Sequence, residues 1–84
     1  MSNDAKRIAV VAISISNPTE TSKTVNNILT QFGEMIVGRM GVPYKEKGIS
    51  IISLIVDGTN NEIGALSGKL GNLEGVKSKV SYML

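Results

Sequence analysis

Twice in this chain an isoleucine- and valine-rich run leads into a helix-start signature, and that repeat constrains the fold more than any other feature. The first run, residues 8–15, precedes Asn17-Pro18-Thr19-Glu20, and the second, residues 49–56, precedes Thr59-Asn60-Asn61-Glu62. Both runs are short and rich in β-branched residues, which suits strands. In the first tetrad Asn17 can cap, Pro18 fits the first helical position where its missing N–H is no loss, and Glu20 stands where a capping box wants it. Thr59 and Glu62 repeat the capping-box spacing. The chain therefore holds two strand-to-helix units.

The remaining segments fall between them. Val25, Ile28, Leu29 and Phe32 follow helical spacing until Gly33 stops the first helix. Residues 34–44 form a strand interrupted by Gly38, Gly41 and Pro43, and Lys45-Glu46-Lys47-Gly48 is a charged turn. Asp57-Gly58 ends the next strand. Ile63, Leu66 and Leu70 make one buried stripe of the second helix, Gly71 terminates it, and residues 76–84 form a last strand. With right-handed crossovers, this βαββαβ order is the ferredoxin-like arrangement: an α+β two-layer sandwich with an antiparallel four-stranded sheet and two helices on one face. One domain spans residues 1–84, with residues 1–5 as a flexible lead. The two apolar strands take the centre. The glycine- and proline-bearing strand and the strand with Lys77 and Lys79 take the edges, where such residues are tolerated or protective.

The third strand is apolar on both faces: Ile49, Ile51 and Ile55 point one way, Ile52, Leu54 and Val56 the other. The first strand does the same, with Ile8, Val10 and Ala12 opposite Val11, Ile13 and Ile15. Two helices cover one face only. The second would carry a contiguous apolar patch of a kind soluble monomers rarely expose. Burial of each such side chain is worth about 1.5–3 kcal/mol, so the expectation is a homo-oligomer, dimer or tetramer, through the uncovered sheet face.

Composition removes several function classes. The chain has no cysteine and no histidine, so disulfides and the ligands preferred by zinc, copper and nickel are absent. No nucleophile–base pair is legible, and the expectation is a non-enzyme without metal or cofactor. A net charge of +2 with no charge block gives no electrostatic case for nucleic acid. An RNA-binding sheet of the same topology needs stacking aromatics on its central strands, and the aromatics here are Phe32, Tyr44 and Tyr82. No apolar run approaches the ~20 residues of a membrane span and no cleavage pattern follows one, so the chain is expected in the cytoplasm.

Candidate binding residues lie in three places. Ser16 and Asn17 put a hydroxyl and an amide at a helix N-terminus, where free N–H groups favour an anion; the alternative is simple capping. Arg39, between Gly38 and Gly41, could hold a carboxylate or phosphate; the alternatives are an exposed arginine on an irregular strand or an ion pair across a subunit boundary, and the subunit boundary is favoured. Gly64 and Gly68 line up on the second helix at about 1 kcal/mol each relative to alanine. Something should approach them closely, either another element of the subunit, which is favoured, or a ligand. Lys77, Lys79 and Lys69 make a conceivable basic patch, with solvated edge lysines the commoner explanation. Met35, Met40 and Met83 fit core or interface filling.

The segment Asn61-Glu62-Ile63-Gly64-Ala65-Leu66-Ser67-Gly68-Lys69-Leu70-Gly71, followed by Leu73, Gly75 and Val76, resembles the iron-only hydrogenase system regulators. These are small stand-alone proteins named as transcriptional regulators, with an ACT-like, ferredoxin-like fold. The resemblance continues through Arg39-Met40-Gly41-Val42-Pro43-Tyr44 and residues 51–56. That family is similar to the C-terminal domain of nickel-responsive repressors, which bind metal through the histidine and cysteine this chain lacks, so nickel sensing does not carry over. A first strand starting within ten residues leaves no room for their ribbon-helix-helix, and DNA binding by this chain alone is not expected. ACT domains bind small effectors, often amino acids, at subunit boundaries near the loop after the first strand, which implicates Ser16 and Asn17. The resemblance thus implies a regulatory module for a small effector or partner protein in the iron-only hydrogenase system. The alternative is a structural assembly protein whose apolar face and glycines serve oligomer packing alone.

Overall fold

In the computed structural model, which describes residues 5–84, each apolar run is the strand expected of it and each start signature opens a helix. Strand β1 (Lys6–Ser16) is followed by α1 (Pro18–Gln31), a 3-10 turn at Gly33–Met35, and β2 (Ile36–Tyr44). A second 3-10 turn, Lys45–Lys47, leads to β3 (Ile49–Thr59), α2 (Asn60–Gly71) and β4 (Val76–Tyr82). The sheet is antiparallel throughout, in the order β2-β3-β1-β4, so the two apolar strands are central and the glycine- and lysine-bearing strands are edges. Of the expected lead, residues 1–4 lie outside the described residues.

One sheet face and the two helices enclose the core. Val11, Ile13 and Ile15 of β1 and Leu54 and Val56 of β3 meet Val25 and Leu29 of α1 and Ile63, Leu66 and Leu70 of α2, all buried. The stripe Ile63, Leu66, Leu70 is the helix face the spacing predicts. Among the described residues no polar side chain is buried in this layer. Burial of each aliphatic side chain contributes about 1.5–3 kcal/mol, so this one layer supplies most of the folding drive.

Four boundaries differ from the sequence expectation, each for a local reason. Asn17 occupies the position before α1, yet its backbone is left-handed (φ 56°, ψ 54°) where a capping residue is extended, and its side chain makes no capping hydrogen bond. The first capping box therefore does not form, although Pro18 does open the helix. Strand β2 starts at Ile36 because Gly33–Met35 curls into a turn that buries Met35. Strand β3 runs through Asp57-Gly58 to Thr59, since Gly58 ends nothing: a Cβ there would stand 2.8 Å from Met35 Sδ and 3.1 Å from Glu62 Oε1. Strand β4 stops at Tyr82, after which Met83 and Leu84 both donate backbone hydrogen bonds to the Ile8 carbonyl.

The second capping box is complete. Glu62 N–H donates to Thr59 Oγ1 at 3.1 Å, and Thr59 N–H donates to Glu62 Oε1 at 2.9 Å. Those two bonds satisfy donors that a helix start otherwise leaves open. The Glu62 carboxyl is held below its usual range, first by the Thr59 backbone hydrogen bond, against partial desolvation, with the Thr59 side chain and nearby Lys6 adding to it.

Candidate functional site

Strand β2 has almost nothing to bury on its helix side. Past Ile36, its residues facing that side are Arg39, Gly41 and Pro43, paired in register with Leu54, Ile52 and Ser50. Helix α2 packs on β4, β3 and β1, and α1 packs on β1 and α2. Neither is centred over β2, so a groove remains between α1 and the edge strand. Its volume is about 220 Å³. Buried Ile15 and Ile52, with Gly41, make the floor. Ser22 and Asn26 project from α1, and Arg39, Pro43 and Ser50 from the sheet. A wider concavity of about 600 Å³ adjoins it at the start of α1, sharing Ser22, Pro43 and Ser50 and reaching Asn17, Thr19 and Lys45.

The electrostatics of this groove are one-sided. Among the described residues, Arg39 is the charged residue of the narrow part and Lys45 that of the wide part, and no carboxylate lines either. Arg39 Nη2 donates to Asn26 Oδ1 at 3.1 Å. That bond holds the guanidinium toward α1, while a guanidinium carries five N–H donors in a rigid fork. The opposite end of α1 has the reverse character. There a concavity of about 320 Å³ is lined by Glu34, Asp57 and Glu62 beside Lys6, Phe32 and Met35. Among the described residues no cluster of acidic residues could hold a metal ion.

The residues expected to bind are therefore not one site. Asn17 and Arg39 border the two parts of one groove. Ser16 pairs with Ile49 and so lies toward the other sheet face, exposed, its N–H donating to the Gly75 carbonyl at 2.8 Å. Gly64 and Gly68 lie exposed on α2, and a Cβ at either would meet nothing within 4 Å. Packing of another element of the same subunit on these glycines, the favoured expectation, does not occur among the described residues; the close approach belongs to Gly58. The three lysines also separate. Lys77 and Lys79 lie on the open sheet face, while Lys69 on α2 donates to Gln31 Oε1 at 3.2 Å and sits over the Phe32 ring. Ser22, Asn26 and Ser50 escaped sequence reasoning because only the tertiary fold sets them around Arg39. A signal for the groove was present in Arg39-x-Gly41-x-Pro43, a strand face with no aliphatic side chain.

The far face of the sheet is the second notable surface. Ile8, Val10 and Ala12 of β1, Ile49, Ile51 and Ile55 of β3, and Met40, Val42 and Tyr44 of β2 share it by register. Met40 is 65% exposed and Ile55 47%, and Val42, Tyr44 and Ile51 are exposed as well. The contiguous apolar patch expected from the sequence is present. Met83, also exposed, lies beyond the end of β4.

Comparison with known proteins fits this architecture. The family model TM1266-like, iron-only hydrogenase system regulator, matches residues 7–80. Among solved structures, the uncharacterized protein TM1266 of Thermotoga maritima is 37% identical, with a TM-score of 0.91 over 94% of this chain and 99% of that one. The apo form of CPII from Thiomonas intermedia K12, a nitrogen regulatory PII-like protein, has a TM-score of 0.55 at 12% identity, over 94% of this chain and 95% of that chain, a likeness of fold alone. A comparison with curated proteins finds no match. No helix among the described residues is long and apolar enough to cross a membrane. The chain belongs to the TM1266-like family of iron-only hydrogenase system regulators.

Proposed function

We propose that the chain is a non-enzymatic, cytoplasmic regulatory module that works as an assembly of identical copies and answers to a small effector in the iron-only hydrogenase system. The observation that carries this reading is the open sheet face, where exposed Met40, Val42, Tyr44, Ile51 and Ile55 gather on β2 and β3 beside Ile8, Val10 and Ala12 of β1, with Ser14 and Ser53 among them. Its strands β1 and β3 are each 11 residues long. At about 3.3 Å per residue and about 4.8 Å per strand the face covers about 600 Å², so two copies bury about 1,200 Å² in total, the size at which stable interfaces begin. Lys77 and Lys79 occupy one edge of that face. Copies that place each β4 over the partner copy's β2 set these lysines against Met40 and Val42 instead of against each other.

Effector binding is assigned to the groove that Asn17 and Arg39 border, as a pocket with convergent polar groups is the default binding site of a small domain. DNA recognition by this chain alone forms no part of the proposal, since its net charge is only +2. A purely structural assembly protein is the competing reading, and a thermal-shift screen against amino acids, nucleotides and divalent metals separates the two. Saturable stabilisation that is lost in Arg39→Ala supports effector sensing. A screen without any saturable shift leaves assembly as the function.

A further inference from the structure

We infer that the groove between α1 and β2 binds a small organic carboxylate with a short apolar body, in preference to an amino acid or to inorganic phosphate. The inference rests on the effector reading above and supplies the ligand's chemical class. Its first support is charge. Among the described residues the narrow groove is lined by one cation, Arg39, and no carboxylate, while Glu34, Asp57 and Glu62 line the concavity at the opposite end of α1; Glu20 and Glu46 lie near the wide part, outside its lining. A single guanidinium fork matches a carboxylate in a bidentate pair.

The second support is shape and polarity. The floor is aliphatic, built from buried Ile15 and Ile52, and Gly41 leaves it without a side chain on the edge strand. An apolar body can lie there while its carboxylate meets Arg39. The narrow part has a volume of about 220 Å³, below the ~300 Å³ where pockets for drug-sized ligands begin, so the portion of a ligand seated beside Arg39 is a few carbons beyond the carboxylate. Asn26 is already engaged in steering the guanidinium, at 3.1 Å, so the cation is oriented before a ligand arrives. An amino acid would bring an ammonium that finds no carboxylate among the described residues lining the groove. A phosphate dianion would meet one guanidinium and leave the aliphatic floor uncovered.

Titration of ¹⁵N-labelled protein with isovalerate, isovaleramide, leucine and inorganic phosphate tests the assignment by amide chemical shifts. Isovalerate should give saturable shifts at Ser22, Asn26, Arg39, Gly41 and Ser50, with isovaleramide and leucine at least about tenfold weaker. Arg39→Gln should abolish saturation while its spectrum stays that of the folded chain, and Arg39→Lys, which keeps the charge but loses the fork, should weaken binding. Equal affinity for isovaleramide, leucine or phosphate overturns the inference, as does an absence of saturation with isovalerate. Saturable shifts confined to another surface, such as Lys77 and Lys79, overturn the groove while leaving effector sensing in place.

Discussion

The two interior glycines of α2 allow a quantitative test of what surrounds that helix. Gly64 and Gly68 lie well inside Asn60–Gly71, exposed, with open space where a Cβ would go. Among the described residues nothing opposes alanine at either site. Glycine in a helix interior is about 0.8–1.0 kcal/mol less favourable than alanine, through the backbone freedom it retains in the unfolded chain. Gly64→Ala with Gly68→Ala should therefore stabilise the protomer by about 2 kcal/mol, the sum of the two propensity gains. For a domain of this size that raises Tm by about 8–16 °C. Urea unfolding, followed by circular dichroism at several protein concentrations, should show a higher midpoint with an unchanged slope. An unchanged or lowered midpoint would refute the reasoning, because it would mean that a second molecule lies against the glycine strip and cannot admit two methyl groups. A loss confined to high protein concentration would identify that molecule as another copy.

Three further outcomes follow from the described contacts. Gly58→Ala places a Cβ 2.8 Å from Met35 Sδ and 3.1 Å from Glu62 Oε1, so both side chains must shift, the first within the core, and a loss of about 1 kcal/mol is expected in urea unfolding. Ile55→Lys puts a charge in the middle of the apolar sheet face, and should leave the far-ultraviolet spectrum intact while weakening self-association at least about tenfold, measured by sedimentation velocity. Glu62 titrates below its usual range in the folded chain, first because of the Thr59 backbone hydrogen bond, so its contribution is present above the unfolded pKa and is lost as pH falls through the lower folded value. Glu62→Gln should accordingly flatten the acid side of a stability-against-pH curve relative to wild type, and identical acid limbs would count against that role.

The order of elements was legible because its signals are local. Thr59 and Glu62 form the capping box their spacing announces, and Pro18 opens α1. The central position of β1 and β3 followed from aliphatic side chains on both faces, and the edges from Gly38, Gly41, Pro43 and the strand-4 lysines. Tertiary context decided what failed. Asn17 reads as a cap until its backbone turns left-handed, and Gly58 reads as a strand end until Met35 is laid over it. Gly64 and Gly68 advertised a close neighbour that the protomer does not supply. The groove combined both cases: Arg39 was visible as a candidate, whereas Ser22, Asn26 and Ser50 depend on how α1 sits beside β2. Helix spacing says which side of α1 is polar, not what faces it.

The proposed function turns on the open sheet face being an interface between copies. Sedimentation equilibrium of the wild-type protein at micromolar concentration measures this most directly. The predicted result is a mass that is a multiple of the 8.9 kDa chain and falls toward the monomer in Ile55→Lys. A wild-type mass of 8.9 kDa across that range would contradict it.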